Sequence, residues 1–172
     1  MMSQIVSNTP LWVWGIFLGL VWLGTIQLRP RVTSFGRVLG VAFIMSAFSL
    51  MGTVSSFGAS AGALLAWLGG ALAVGWLTSR IALSEDTRYL PERRAFEVPG
   101  SWAPLGLMMG VFAVKYVSGV LMGIHAPVTQ EPWFAPLLGM VSGEFSGAFI
   151  GRAGRLMRLA RQSQRLAAGL KA

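Results

Sequence analysis

Two ionisable side chains of this chain sit where ionisation is expensive. Lys115 and Glu144 each interrupt a long apolar run. A charge at bilayer depth needs a partner, a proton or water. Lys115 follows Ala103 by 12 residues, about 18 Å along a helix; Glu144 follows Phe134 by 10, about 15 Å. On consecutive antiparallel helices across a core of roughly 30 Å, both groups lie near the midplane. Such a pair supports two kinds of chemistry. One is an ion pair that fixes helix register. The other is proton or ion handling along a polar path. In a third arrangement both side chains face water in a cavity without meeting.

The next pattern is made of glycine. Gly139, Gly143, Gly147 and Gly151 recur every four residues and fall on one narrow helical face, where a second backbone can approach closely. This is the spacing of a glycine zipper. Gly106/Gly110 and Gly119/Gly123 are two further helix-packing pairs of the same type. Ser46, Ser49 and Thr53 form a polar stripe at i, i+3 and i+7. The favoured reading is that these hydroxyls bond their own i−4 carbonyls and pack on a neighbour, rather than line a polar path.

Arg152, Arg155, Arg158 and Arg161 follow the last apolar run at steps of three. Each step turns the helix by about 300°, so they fan over half the circumference and make no voltage-sensing stripe. They read, with Arg29 and Arg31, as residues that set orientation and snorkel to lipid heads. His125, the one histidine, reads as an interface residue. Alone it cannot supply the two or three protein ligands of a catalytic zinc. The expectation is no metal and no cofactor.

Composition narrows the class. Of 172 residues 54% are hydrophobic and 12% charged, against about a quarter charged in soluble domains. The net charge of +8 sits at the ends of apolar runs, which is a membrane-orientation pattern and not a nucleic-acid footprint. No nucleic-acid partner is expected. The chain has no cysteine, which removes disulfides, thiol relays and thiolate metal sites. Phosphate-binding, dinucleotide, zinc-protease and serine-hydrolase motifs are absent, so no catalytic residues are assigned. The first apolar run has neither a basic start nor a cleavage pattern and does not read as a signal peptide.

These residues need elements to position them. Five apolar spans are expected, at about 11–28, 38–57, 63–83, 102–124 and 133–157, in one all-α, polytopic membrane domain covering residues 1–172. A cytoplasmic loop at 84–101 and a cytoplasmic basic helix at 158–172 complete it. Within the loop, 88–90 and 95–98 can pair as a small hairpin about Pro91-Glu92-Arg93-Arg94. An isolated hairpin is marginal, so it must lean on helix ends or on the bilayer. Thirteen of the fourteen Lys and Arg residues fall on alternate flanks, the exception being Lys115. That split puts the N-terminus outside and the C-terminus in the cytoplasm.

The stretches Thr9-Pro10-Leu11-Trp12-Val13-Trp14-Gly15, Gln27-Leu28-Arg29-Pro30-Arg31 and Val98-Pro99-Gly100-Ser101-Trp102-Ala103-Pro104-Leu105, with Lys115-Tyr116, resemble a family of small bacterial inner-membrane proteins of unknown function. The likeness covers nearly the whole chain. It implies a five-span inner-membrane fold and no chemistry. A weaker resemblance is to the small membrane accessory proteins of cytochrome c biogenesis. The expected function is non-enzymatic: a protein that packs or assembles, as homo-oligomer or with a hetero-partner, among other membrane helices of the bacterial inner membrane. The alternative is a small transporter or channel component that uses Lys115 and Glu144.

Threading is open to a direct test. Reporters fused after Lys171 and within 84–101 are expected to read cytoplasmic, and one within 125–133 external. A cytoplasmic reading from 125–133 rejects the five-span arrangement.

Overall fold

The computed structural model describes residues 10–84 and 86–169, with side chains as far as residue 165. It is mostly helical, at 77%. In chain order the elements are α1 (Leu11–Ile26), β1 (Arg31–Ser34), α2 (Phe35–Phe57), α3 (Ala61–Arg80), β2 (Arg88–Leu90), β3 (Ala95–Val98), α4 (Ala103–Gly123) and α5 (Phe134–Gly169). Helices α2 to α5 are long and apolar enough to cross a membrane. Helix α1 has 16 residues, about 24 Å, and is shorter than the hydrocarbon core. The chain divides into two compact units, Met1–Arg29 with Gly100–Glu131, and Pro30–Pro99 with Pro132–Ala172.

In the first unit α1 and α4 pack antiparallel. A methyl group on Gly24 would overlap the Leu105 side chain, and the Phe17 and Phe112 rings lie 5.4 Å apart. At the paired ends the Ser101 N–H donates to the Gln27 carbonyl at 3.2 Å. Pro104 occupies the first turn of α4, where its missing N–H costs little. Helix α1 stops at Ile26, two residues before the expected 28. There the N–H groups of Gln27 and Leu28 tighten onto the Gly24 and Thr25 carbonyls at 3.0 and 3.1 Å.

The second unit is built on α5. Helix α3 runs parallel to it along the glycine face. A methyl on Gly139 would overlap the Ala63 carbonyl, one on Gly143 the Trp67 carbonyl, and one on Gly147 the Ala71 carbonyl. One on Gly151 would overlap the Thr78 hydroxyl. Each step of four on α5 thus meets a step of four on α3. The approach is reciprocal at Gly70, where a methyl would overlap the Met140 carbonyl. Helix α2 lies on a neighbouring face of α5 and runs antiparallel to it, with Ser49 at Ser142 and Phe57 at Phe134. Gly58, at φ 64°, turns the chain from α2 into α3.

A three-stranded antiparallel sheet, in the order β1-β3-β2, closes one end of this unit. The hairpin β2–β3 has the expected bounds, with Tyr89 opposite Phe96 and Leu90 opposite Ala95. Strand β1, opposite Val98 to Ala95, was not expected. Its signal is only the short β-branched pair Val32-Thr33 between a proline and a helix. Phe96, 1% exposed, packs with Leu156 and Ala160 of α5, flanked by Phe35, Val38, Leu83, Tyr89 and Val98. The hairpin therefore leans on α5 rather than on lipid. This core also moves the expected span ends. Helix α2 starts at Phe35, three residues before 38, directly after β1, with the Ser34 hydroxyl accepting from the Arg37 N–H at 3.4 Å. Helix α3 ends at Arg80 instead of 83, since Ile81 is extended and Leu83 joins the core under the sheet. Helix α5 runs 36 residues, about 54 Å, so the basic segment from 158 is the same helix, continued as far as Gly169.

The glycines of α4 stand apart. A methyl on Gly106, Gly119 or Gly123 meets nothing within 4 Å. Gly110, the second member of the expected Gly106/Gly110 pair, is half-buried on the same helix, whereas Gly106 is exposed. Their spacing matches that on α5, but within this unit Gly106, Gly119 and Gly123 take no helix against them. Within this unit, then, Gly106, Gly119 and Gly123 bring no backbones together. Such a pair brings backbones together only when both members face another helix. The contrast with α5 predicts that Gly143→Leu and Gly147→Leu each lower thermal stability in detergent, by about 1–3 kcal/mol or more. Gly106→Leu and Gly119→Leu are expected to leave the melting temperature within a degree or two of the parent. Equal melting of all four variants would remove the distinction.

Candidate functional site

Lys115 is exposed on α4, in the first unit; Glu144 is half-buried on α5, in the second. The backbone N–H of Glu144 lies against Gly70, so its register is fixed by the α3–α5 contact. Among the described residues, neither side chain forms an ion pair within its own unit. The Lys115 carbonyl accepts from the Ser118 hydroxyl at 3.1 Å, an ordinary intrahelical bond.

The hydroxyl stripe is settled by packing. The Ser49 hydroxyl donates to the Ser142 carbonyl at 2.8 Å and accepts from the Trp67 indole N–H at 3.1 Å. The Thr53 hydroxyl donates to the Ser49 carbonyl at 3.1 Å, and that of Ser146 to the Ser142 carbonyl at 3.2 Å. These bonds join α2, α3 and α5. Trp67 was missed in the sequence, although an indole N–H in mid-span must find an acceptor. The Ser46 hydroxyl is buried and has no partner.

The arginines of the second unit collect at the sheet end. The Arg155 guanidinium donates to the Ile81 carbonyl at 3.3 Å and that of Arg158 to the Ser79 carbonyl at 2.6 Å. Both stabilise the C-terminal end of α3, where the helix dipole is negative and carbonyls lack intrahelical donors. Arg80 lies over the Trp76 ring at 4.9 Å. Arg31, on β1, neighbours Arg37, and Arg152 neighbours Arg31 and Arg155. Burial first, and then the Arg37 charge, push the Arg31 guanidinium below its ordinary value. Arg158, Arg161, Gln162 and Arg165 line an open groove of about 240 Å³. Arg29 falls in the other unit, after α1. The opposite end of the second unit, at the Gly58 turn and the Phe57–Phe134 ring contact, carries no Lys or Arg between 58 and 62.

His125 has a conformational role. At φ 51° it is the left-handed residue that ends α4. Its N–H donates to the Met122 carbonyl at 3.1 Å and the Ala126 N–H to the Leu121 carbonyl at 2.9 Å, the bonding of a Schellman cap. Among the described residues no group of three or more His, Cys, Asp or Glu side chains could hold a metal ion.

The two serines on α2 separate by their partners. Ser49→Ala strands the Trp67 N–H and is expected to cost about 1–3 kcal/mol. Ser46→Ala removes a hydroxyl with no partner and is expected to be neutral or stabilising. Chemical or thermal unfolding in detergent distinguishes the two, and equal losses would contradict the bonding described.

Comparison with curated proteins and with solved structures returns no match. The likeness to cytochrome c biogenesis accessory proteins therefore gains no support. A family model matches residues 1–167, which takes in the sheet and all but the last two residues of α5; the chain belongs to DUF6622, a family of unknown function.

Proposed function

We propose that this protein is a non-enzymatic component of the bacterial inner membrane, threaded five times with its arginine-rich end in the cytoplasm, that assembles with other membrane helices. The observation that carries this reading is the uneven use of glycine. On α5 the glycines at four-residue spacing lie against α3 of the same chain. On α1 and α4, Gly15, Gly19, Gly106, Gly119 and Gly123 would each accept a methyl without contact. In lipid, small-residue faces are where helices associate. A second copy or a different membrane protein fits such faces. The collection of unit-two arginines at one end supports the orientation, since basic flanks stay cytoplasmic. Pull-down from native membranes is the test of the whole reading. Recovery of the chain alone, as a monomer, would reject it.

A second reading is kept because, among the described residues, Lys115 and Glu144 each lack an ionic partner in their own unit. In it the two side chains meet near the midplane and carry a proton or ion. If they are partners, removing one leaves an unpaired charge, at a cost of about 3–5 kcal/mol where fully buried. Lys115→Met with Glu144→Gln is then expected to cost less than the sum of the single changes. A stable double variant that still assembles marks a structural pair. One that assembles but no longer moves protons in vesicles marks an ion-handling site. Additive losses would show that the residues do not meet.

A further inference from the structure

Lys115 is the charge that the first unit cannot answer. Its one acid is Glu131, since residues 1–29 and 100–131 hold no other Asp or Glu. Glu131 lies beyond the end of α4 at Gly123, and Lys115 stands eight residues, about 12 Å, before that end. On a helix the Cα–Cβ bond tilts toward the N-terminus, so Lys115 leans away from Glu131 and deeper into the apolar run. The other end of α4, at Ala103, is about 18 Å away. Both distances exceed the reach of a four-carbon stem. Neither lipid heads nor surface water therefore meets the ammonium unless the bilayer deforms.

The face beside this charge is open. Lys115, Gly119 and Gly123 are exposed and recur at steps of four, so they lie along one side of α4. A methyl group on either glycine meets nothing within 4 Å. The reason is the length of α1. Gly24 at Leu105 and Phe17 at Phe112 set an antiparallel register in which α1, starting at Leu11, begins level with about Ser118 of α4. Gly119 and Gly123 lie past that start. Here a second backbone can come close, directly beside a cation at apolar depth.

We propose that this face of α4 is the docking site for a membrane helix of another protein that carries an Asp or Glu carboxylate at mid-depth. Lys115 is the counter-charge, and Gly119 and Gly123 seat the incoming backbone. Charge complementarity selects that occupant. A wholly apolar helix would fill the glycine face and leave the ammonium unanswered, which is the cost that keeps lone charges rare in spans. A basic helix would add repulsion. A second copy fits less well through this face, because two such faces set together oppose two lysines. Such docking rests on the assembly reading above and specifies the partner's chemistry. It is the alternative to a contact between Lys115 and Glu144 of the second unit.

The chain has no cysteine, so Gln130→Cys, at an exposed position of the same unit, gives one dye site on the full-length protein in phosphatidylcholine vesicles. Dye-labelled transmembrane peptides of about 20 Leu and Ala residues are added, with Glu, Gln or Leu at the centre, and energy transfer reports their binding. The Glu peptide is expected to bind about tenfold tighter than the Gln peptide, and Lys115→Met should bring the two level. Glu144→Gln should leave the preference unchanged. Equal binding of the Glu and Gln peptides overturns the proposal, and so does a preference that survives Lys115→Met. If Lys115→Met fails to fold, the Glu-against-Gln comparison on the unaltered lysine still decides. A preference seen only with Glu144→Gln also overturns the proposal, because Glu144 is then the group that answers Lys115. Self-association of the chain that Glu144→Gln abolishes makes a second copy the occupant and has the same consequence. Tight binding of all three peptides alike would keep the assembly reading and remove the charged partner, so the two readings fail separately.

Discussion

The closeness of two backbones, α3 and α5, is the constraint on which the second unit depends. Gly139, Gly143, Gly147 and Gly151 bring α5 onto the carbonyls and side chains of α3 at every turn. In lipid there is little hydrophobic gain in pressing one apolar helix on another, so packing and weak backbone contacts carry the association. Carbonyl oxygens of one helix against glycine Cα atoms of the other are the geometry of Cα–H···O contacts, each worth about 0.5–1 kcal/mol. A side chain larger than hydrogen at any of these positions would separate the helices along their whole length. The register also sets where Glu144 lies, because its backbone is held at Gly70.

The parallel pair fixes what happens at its end. Both helices bring their C-terminal direction to the sheet, so α3 presents carbonyls there while α5 continues past it. Arg155 and Arg158 reach those carbonyls from the continuing helix. The same continuation gives the sheet a surface, Leu156 and Ala160, on which Phe96 is buried. A three-stranded sheet of strands this short has little stability by itself. It is ordered by the helix that runs beneath it. The antiparallel α2 adds a second, polar fastening, through Ser49, Trp67 and Ser142.

The first unit differs in kind. Its two helices meet through Gly24, Leu105 and the Phe17–Phe112 rings, while Gly15, Gly19, Gly106, Gly119 and Gly123 have nothing against them. The same four-residue pattern thus has different consequences in the two units, decided by what lies opposite.

Much was legible from residue order alone. Long apolar runs bounded by arginine, proline and tryptophan give helices long enough to span, because lipid leaves the backbone no other way to satisfy its hydrogen bonds. The hairpin 88–90/95–98 was legible because alternation and turn chemistry are local. The glycine face of α5 was legible as a face, since spacing fixes side-chain direction. Its occupant was not: which helix fills it is a long-range choice, and the fold gave it to α3. The glycine spacings of α4 carried the same signal, and Gly106, Gly119 and Gly123 have nothing against them. Likewise β1 could not be read, because four residues between helices gain strand character only when β3 lies beside them. Residue order could not show that the end of α3 comes within reach of Arg155 and Arg158, or that the backbone of His125 is left-handed. Sequence determines which residues are dear to bury or small enough to approach. Tertiary structure decides which partner relieves that cost, since the partner comes from a distant part of the chain.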